Sequence, residues 1–158
     1  MPAGSTNIKD LFHSLTLFTD LTGLEIDRLY PNFRLTAFKS GDRLLREGEM
    51  VRSLFVIVAG EASVLKEDKT GEPREIATVG ARTVLGEMSL FEFVQASATI
   101  EAKGPLEALV IERMTLTRTM DANPQLGYKI LKKIVRIMGK RLKTTSDQLT
   151  EYLPDSQA

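Results

Sequence analysis

A mainly β fold with flanking helices is what this sequence predicts: an antiparallel β jelly roll with N-terminal helices and a long C-terminal helix. Three observations carry that reading. Before residue 33, apolar residues recur at helical spacing in two short stretches. From Phe33 to Glu112 the pattern changes to short alternating or apolar runs punctuated by Gly, the mark of an all-β barrel or jelly roll. After Met114 the helical period returns and holds almost to the end of the chain.

The elements follow in order. Residues 1–7 are small and polar and read as a disordered lead-in. "NIKDLFHSLTLF" places Ile8, Leu11, Phe12 and Leu15 on one helical face, with Asn7 as its N-cap. In "LTGLEIDRLYPNF" a second helix starts at Thr22, with Glu25 three residues later as a capping box demands, and Pro31 ends it. These two helices occupy 8–32. The barrel, 33–112, opens with "FRLTAF" and a "KSGD" turn. "SLFVIVAGEASVLK" reads as two strands joined tightly at Gly60. "EASVLKEDKTGEPREIATVG" is a hairpin with a long polar tip, and "ASATIEAKGPLEALVIE" supplies two strands around Lys103-Gly104-Pro105. C-terminal helices fill 115–150, a short one ending near Asn123-Pro124 and then one long one; residues 151–158 form a fraying tail.

Bulk properties narrow the function classes. A chain of 158 residues, 42% hydrophobic and 27% charged, fits one domain with a real core. Lys+Arg and Asp+Glu are both 21, so no global field draws the protein to nucleic acid or acidic lipid. The absence of cysteine excludes disulfides, thiolate metal sites and cysteine nucleophiles. No secretory leader and no apolar run of membrane-spanning length occurs, and a cytoplasmic location without membrane contact is expected. His13, the one histidine, sits on a helix without a second base or nucleophile, so a surface role is expected. With no P-loop, nucleophile motif or metal-ligand spacing, no enzyme, no cofactor and no metal site is expected.

The ordered set "LFTDLTGLEIDRL", "FKSGDRLLREGEMVRSLFVIVAGEASVL", "LGEMSLF" and "SATIEA" resembles the cyclic nucleotide-binding domain family over residues 10–150. The resemblance implies that "LGEMSLF" opens a phosphate-binding cassette. Gly86 and Glu87 then take the glycine and ribose-carboxylate positions, Met88 and Ser89 offer backbone amides, and Ser97 supports the phosphate. The chemistry behind those residue types is simple. Glycine permits close backbone approach, a carboxylate accepts from a ribose hydroxyl, and an arginine pairs with phosphate through charge-assisted bonds. Aligned without a gap, the family's Pro-Arg falls on Gln95-Ala96; aligned with one gap, the arginine is simply missing. Losing a hydrogen bond to a charged group costs roughly 1.5–3 kcal/mol, about tenfold to hundredfold in affinity. Phe93 and Val94 add apolar bulk that can fill the pocket. Arg82, in the turn before the cassette, is the candidate substitute cation; a solvated turn residue is the favoured reading of it.

On the long helix, Leu131, Val135, Met138, Leu142, Thr145 and Leu149 alternate spacings of four and three, the seam of a two-helix coiled coil. Ile130, Ile134 and Ile137 form a neighbouring stripe able to pack on the barrel. Two stripes point to a homodimer through this helix; burial of both within one chain is the other reading. Lys129, Lys132, Lys133, Arg136, Lys140 and Lys143 make a basic face, read as solvated. After the helix there is no length for a helix-turn-helix, so no DNA-binding domain is expected. The expected function is a stand-alone, non-catalytic regulatory module that binds cyclic AMP or cyclic GMP weakly or not at all. A protein-interaction adaptor and a true cyclic nucleotide sensor are the alternatives.

Overall fold

The computed structural model describes residues 7–152. Within them lie helices α1 (Ile8–Ser14) and α2 (Gly23–Leu29) and strands β1 (Arg34–Phe38), β2 (Arg43–Leu45), β3 (Ser53–Ala59) and β4 (Ala62–Glu67). Strands β5 (Pro73–Val79), β6 (Val84–Leu85), β7 (Thr99–Ala102) and β8 (Leu106–Glu112) follow, then helices α3 (Arg113–Ala122) and α4 (Pro124–Tyr152). Short 3-10 turns cover Thr16–Phe18, Tyr30–Asn32 and Glu87–Ser89. Residues 1–6 of the expected lead-in and 153–158 of the expected tail lie outside the described residues. Helix α3 begins two residues before the expected position 115, and α4 continues to Tyr152, beyond the expected 150.

Among the described residues the strands form two four-stranded sheets, ordered β1-β8-β3-β6 and β2-β7-β4-β5. Strand β1 pairs β8, β2 pairs β7, β3 pairs β6 and β4 pairs β5, all antiparallel. That nested pairing is a long hairpin rolled on itself, a jelly roll. Strands β4 and β5 form the expected hairpin, with Asp68 accepting from Thr70 and from the Glu72 amide at its tip. The tight joint at Gly60 differs from a hairpin, since β3 and β4 belong to different sheets. Gly60 has φ +90, and a Cβ there would stand 2.4 Å from the Pro105 carbonyl oxygen, so the corner between sheets requires glycine.

Strand β3 explains why its sequence is a continuous apolar run rather than an alternation. Its sheet is covered on both faces. Leu54 and Val56 point to a core shared with the helices, where Phe12, Phe18 and Phe33 cluster and Leu116, Ile130 and Ile134 close the layer. Phe55 and Ile57, one residue out of phase, point to the barrel interior with Leu44, Leu85, Ile100 and Leu106. The second sheet faces solvent on its outer side, and β5 is exposed along most of its length.

The capping box on α2 is present in full, with Thr22 and Glu25 bonded reciprocally. Asn7 caps α1 through the Lys9 amide. Pro31 lies in a 3-10 turn that carries the chain on from α2. Beyond its capping role, Glu25 also binds α4, where Lys129 donates to its Oε1 at 2.6 Å. Lys133 reaches Asp20 at 3.3 Å. Two cations of the expected solvated face therefore anchor the base of α4 on the N-terminal helices. The close approach of α3 and α4 is set at Gly127, where a Cβ would meet Met120 at 3.1 Å.

Burial pushes the Glu25 carboxyl up, but the Lys129 ammonium and the Thr22 amide and hydroxyl outweigh it and hold its pKa below the ordinary value. A carboxylate with a depressed folded pKa stabilises the fold fully above its unfolded value, near 4.5, and loses that contribution as pH falls through the lower folded value. Urea unfolding of wild type and Glu25→Gln across pH 7 to 3 is expected to show a stability gap at neutral pH that closes on the acid side. A gap constant with pH overturns this role for Glu25.

Candidate ligand-binding site

Strands β6 and β7 lie in different sheets, and the chain must cross between them. Residues 86–98 make that crossing at one end of the barrel. The crossing opens at Gly86, whose φ of +83 turns the chain into the 3-10 turn Glu87–Ser89. A Cβ at Gly86 would lie 2.4 Å from the Ser53 carbonyl oxygen. The glycine therefore serves an approach of the cassette to β3, and its need is internal to the fold. Ser89 is buried, and its hydroxyl donates to the Gly86 carbonyl at 2.6 Å, so that side chain is already spent.

The second half of the crossing is zipped onto the loop between β2 and β3. Ala96 N–H donates to Glu49 O, Gly48 N–H to Ala96 O, and Val51 N–H to Val94 O. This extended ladder fixes the backbone at Gln95-Ala96 whatever side chain stands there. Thr99 Oγ1 accepts the Glu47 amide and continues the zip into β7. Lys66 donates to the Ser97 carbonyl at 2.7 Å and stands 3.8 Å from Glu47, so its charge is engaged.

Between the two halves lies a cavity of about 660 Å³. Gly86, Glu87, Met88, Ser89, Ala96 and Ser97, the residues singled out from the sequence, all line it. Its walls are largely aliphatic, from Leu45, Val51, Val64, Val79 and Ile100. Phe93 does not fill it, contrary to expectation. The ring is 76% exposed and stacks under the Arg113 guanidinium at 4.0 Å. Arg113, the buried first residue of α3, also donates to the Ser89 and Glu92 carbonyls. It thus clamps the cassette from behind, and Phe91 and Phe93 stay exposed while Val94 does line the cavity.

Arg82 lines the cavity mouth but is exposed, and its φ of 74 places it in the left-handed region that favours glycine. Among the described residues its guanidinium has no hydrogen-bond partner. The cation that does enter is one that sequence reasoning misses. Arg141 of α4 donates from Nη1 to Glu87 Oε1 and from Nη2 to the Val84 carbonyl. Glu87 is buried while Arg141 is partly exposed. Oε2 of Glu87 accepts no hydrogen bond among the described residues. A signal for Arg141 does exist: Ile130, Ile134, Ile137 and Arg141 are spaced four, three and four apart, so the barrel-facing stripe ends on an arginine.

Along α4, Ile130 and Ile134 are buried and Ile137 half-buried against the domain. Leu131, of the expected seam, is partly buried against the core of its own chain. Val135, Met138, Leu142 and Leu149 are exposed. His13 is exposed as well. No helix among the described residues is long and apolar enough to cross a membrane, and none of their acidic or histidine side chains cluster as a metal site.

The family model for the cyclic nucleotide-binding domain matches residues 35–123. The cAMP-dependent protein kinase regulatory subunit of Blastocladiella emersonii is 28% identical over 104 residues, which are 66% of this chain and 26% of that protein. The cAMP-activated global transcriptional regulator CRP of Salmonella typhimurium is 29% identical over 113 residues, 71% of this chain and 52% of the regulator. This chain therefore spans about a quarter to a half of those relatives. A crystal structure of a cyclic nucleotide-binding domain from Methylobacillus flagellatus superposes with a TM-score of 0.80 at 26% identity, covering 96% of this chain and 85% of that one.

Gly86→Ala is expected to lower unfolding stability by at least about 2 kcal/mol, because it combines a left-handed φ with a clash on main chain that cannot yield. Chemical denaturation measures this, and a loss below about 0.5 kcal/mol sinks the account of the cassette's entry.

Proposed function

The chain belongs to the cyclic nucleotide-binding domain family, and on that premise we propose that it is a non-catalytic regulatory module whose cassette cavity takes a small ligand and whose long helix carries the response. The observation that carries this reading is the cavity itself: a buried carboxylate at one end, aliphatic walls, and Ala96 fixed by a backbone ladder where the family places an arginine. Binding of cyclic AMP and cyclic GMP is weak or absent in this reading. The ribose half of the site is kept, while the phosphate half has lost its bidentate cation.

Isothermal titration tests it. The wild-type protein is expected to bind cyclic AMP with a dissociation constant well above the micromolar range. Ala96→Arg, set on an unchanged backbone, is expected to tighten binding by about tenfold to hundredfold. Micromolar or tighter binding by the wild type, or no gain from Ala96→Arg, overturns the assignment of weakness to position 96.

The module acts in the cytoplasm as a homodimer through α4 in this proposal. Support comes from the exposed row Val135, Met138, Leu142 and Leu149, of which Leu142 and Leu149 lie beyond the last contact of α4 with its own barrel. Sedimentation at tens of micromolar should give a dimer for wild type and a monomer for Leu142→Glu; a wild-type monomer removes the seam. One observation favours a second reading, an adaptor that presents a surface to another protein. Met88, Phe91 and Phe93 are all more than 60% exposed on the cassette. Partner capture through α4 that is indifferent to Glu87→Ala would favour the adaptor.

A further inference from the structure

We propose that Arg141 is the anion-binding residue of the cavity, so that the site is assembled from the cassette and α4 together and selects a ligand bearing a hydroxyl beside an acidic group, a ribosyl phosphate being the matching class. This deepens the ligand-binding function proposed above and rests on it.

The case begins with Glu87. A carboxylate this buried is costly to leave unpaired, because removing its partner leaves an uncompensated charge shielded from water. Any ligand that expelled Arg141 would have to meet that cost, so the ligand that fits is one that leaves the pair in place. The geometry allows this on both sides. Arg141 spends one N–H on Glu87 and one on Val84, out of the five that a guanidinium carries. Three donors remain on a side chain that is 42% exposed and lines the cavity. Glu87 keeps Oε2 for a hydroxyl donor. The pair thus offers an acceptor and a cationic donor side by side, which a hydroxyl and an acidic group on one small molecule satisfy at once. The aliphatic walls accommodate an apolar or flat remainder.

Arg141 is favoured over the other nearby cations on entropy and engagement. Its guanidinium is already held by two hydrogen bonds, whereas Arg82 is exposed and must give up rotamer freedom to bind. Lys66 is bonded to Ser97 and does not line the cavity. The consequence for output is direct. Every residue of α4 after Arg141 whose burial is described is exposed, so Arg141 is the last tie between that helix and the barrel. A ligand that engages it touches the helix itself.

The test compares cyclic AMP with adenosine, which keeps the ribose hydroxyls but has no phosphate. Both are titrated against wild type, Arg141→Ala, Arg141→Lys and Arg82→Ala, in the native and Ala96→Arg backgrounds, with thermal unfolding to verify each fold. Arg141→Ala is expected to lower cyclic AMP affinity about tenfold or more and adenosine affinity less than threefold. Arg141→Lys is expected to recover part of the cyclic AMP loss, and Arg82→Ala to change neither ligand by more than about twofold. An equal loss for both ligands overturns the proposal, since Arg141 then acts only by steadying Glu87. A gain in affinity overturns it too, since Arg141 is then an obstruction. Binding of cyclic AMP by neither background, Ala96→Arg included, sinks the ligand-binding function as well; binding with an unchanged ratio sinks the role of Arg141 alone.

Discussion

A buried carboxylate needs a partner, and in this protein that requirement links the two ends of the domain. Glu87 sits on the crossing between the sheets, out of water, where an unpaired charge would cost several kcal/mol. The partner comes from 54 residues away, on the long C-terminal helix. Because the same guanidinium also bonds the Val84 carbonyl, one side chain gathers β6, the cassette and α4. The cavity walls are set by the barrel and cassette, and the helix adds the guanidinium that pairs the cassette's carboxylate.

Helix α4 therefore has two unlike halves. Its base is held by apolar burial at Leu126, Ile130 and Ile134 and by Lys129 and Lys133 reaching acids near α2. Beyond Ile137 the apolar contacts stop, and a single polar tie at Arg141 stands between the helix and solvent. Local stability follows contact density, so the far half opens at lower cost than the base. Such a division suits a lever: a firm pivot, and a far arm governed by one exchangeable contact. The exposed Met138, Leu142 and Leu149 lie on that arm, so whatever covers them responds to the same contact.

Much of this is legible in the residues, for stated physical reasons. Strand β3 reads as a strand because both its faces are buried, and the capping box on α2 is a local code that needs no tertiary context. An ordered set of short motifs marks the cassette, and its six expected residues do line one cavity. What local reading does not supply is which sheet each strand joins: the joint at Gly60 looks like a hairpin in sequence and is a corner between sheets in space. Phe93 is misread for a similar reason. Its position depends on Arg113, twenty residues onward, which draws it out of the pocket by stacking. Arg141 is hidden by its neighbours. The basic face read through Lys140 and Lys143 passes it by, and only the phase of Ile130, Ile134 and Ile137 sets it apart.

The alanine at position 96 acquires a different meaning once the backbone around it is considered. Its main chain is held by the Gly48 and Glu49 bonds, so the cradle's shape at this point does not depend on the side chain, and what an alanine leaves out is charge. Charge is also what α4 brings back, from the opposite wall. A cation on the cassette stabilises a ligand without regard to the helix, and any helix motion must then be driven by a separate contact. With the cation on α4, ligand affinity and helix position draw on the same interaction free energy, and by linkage each must shift the other by the same factor. A site of this kind gives up intrinsic affinity, having one positive group where its relatives' pattern would give it another, and in exchange couples its occupancy to the helix without an intermediary. In the proposed site, weak binding and tight coupling both follow from placing the cation at Arg141 rather than at position 96.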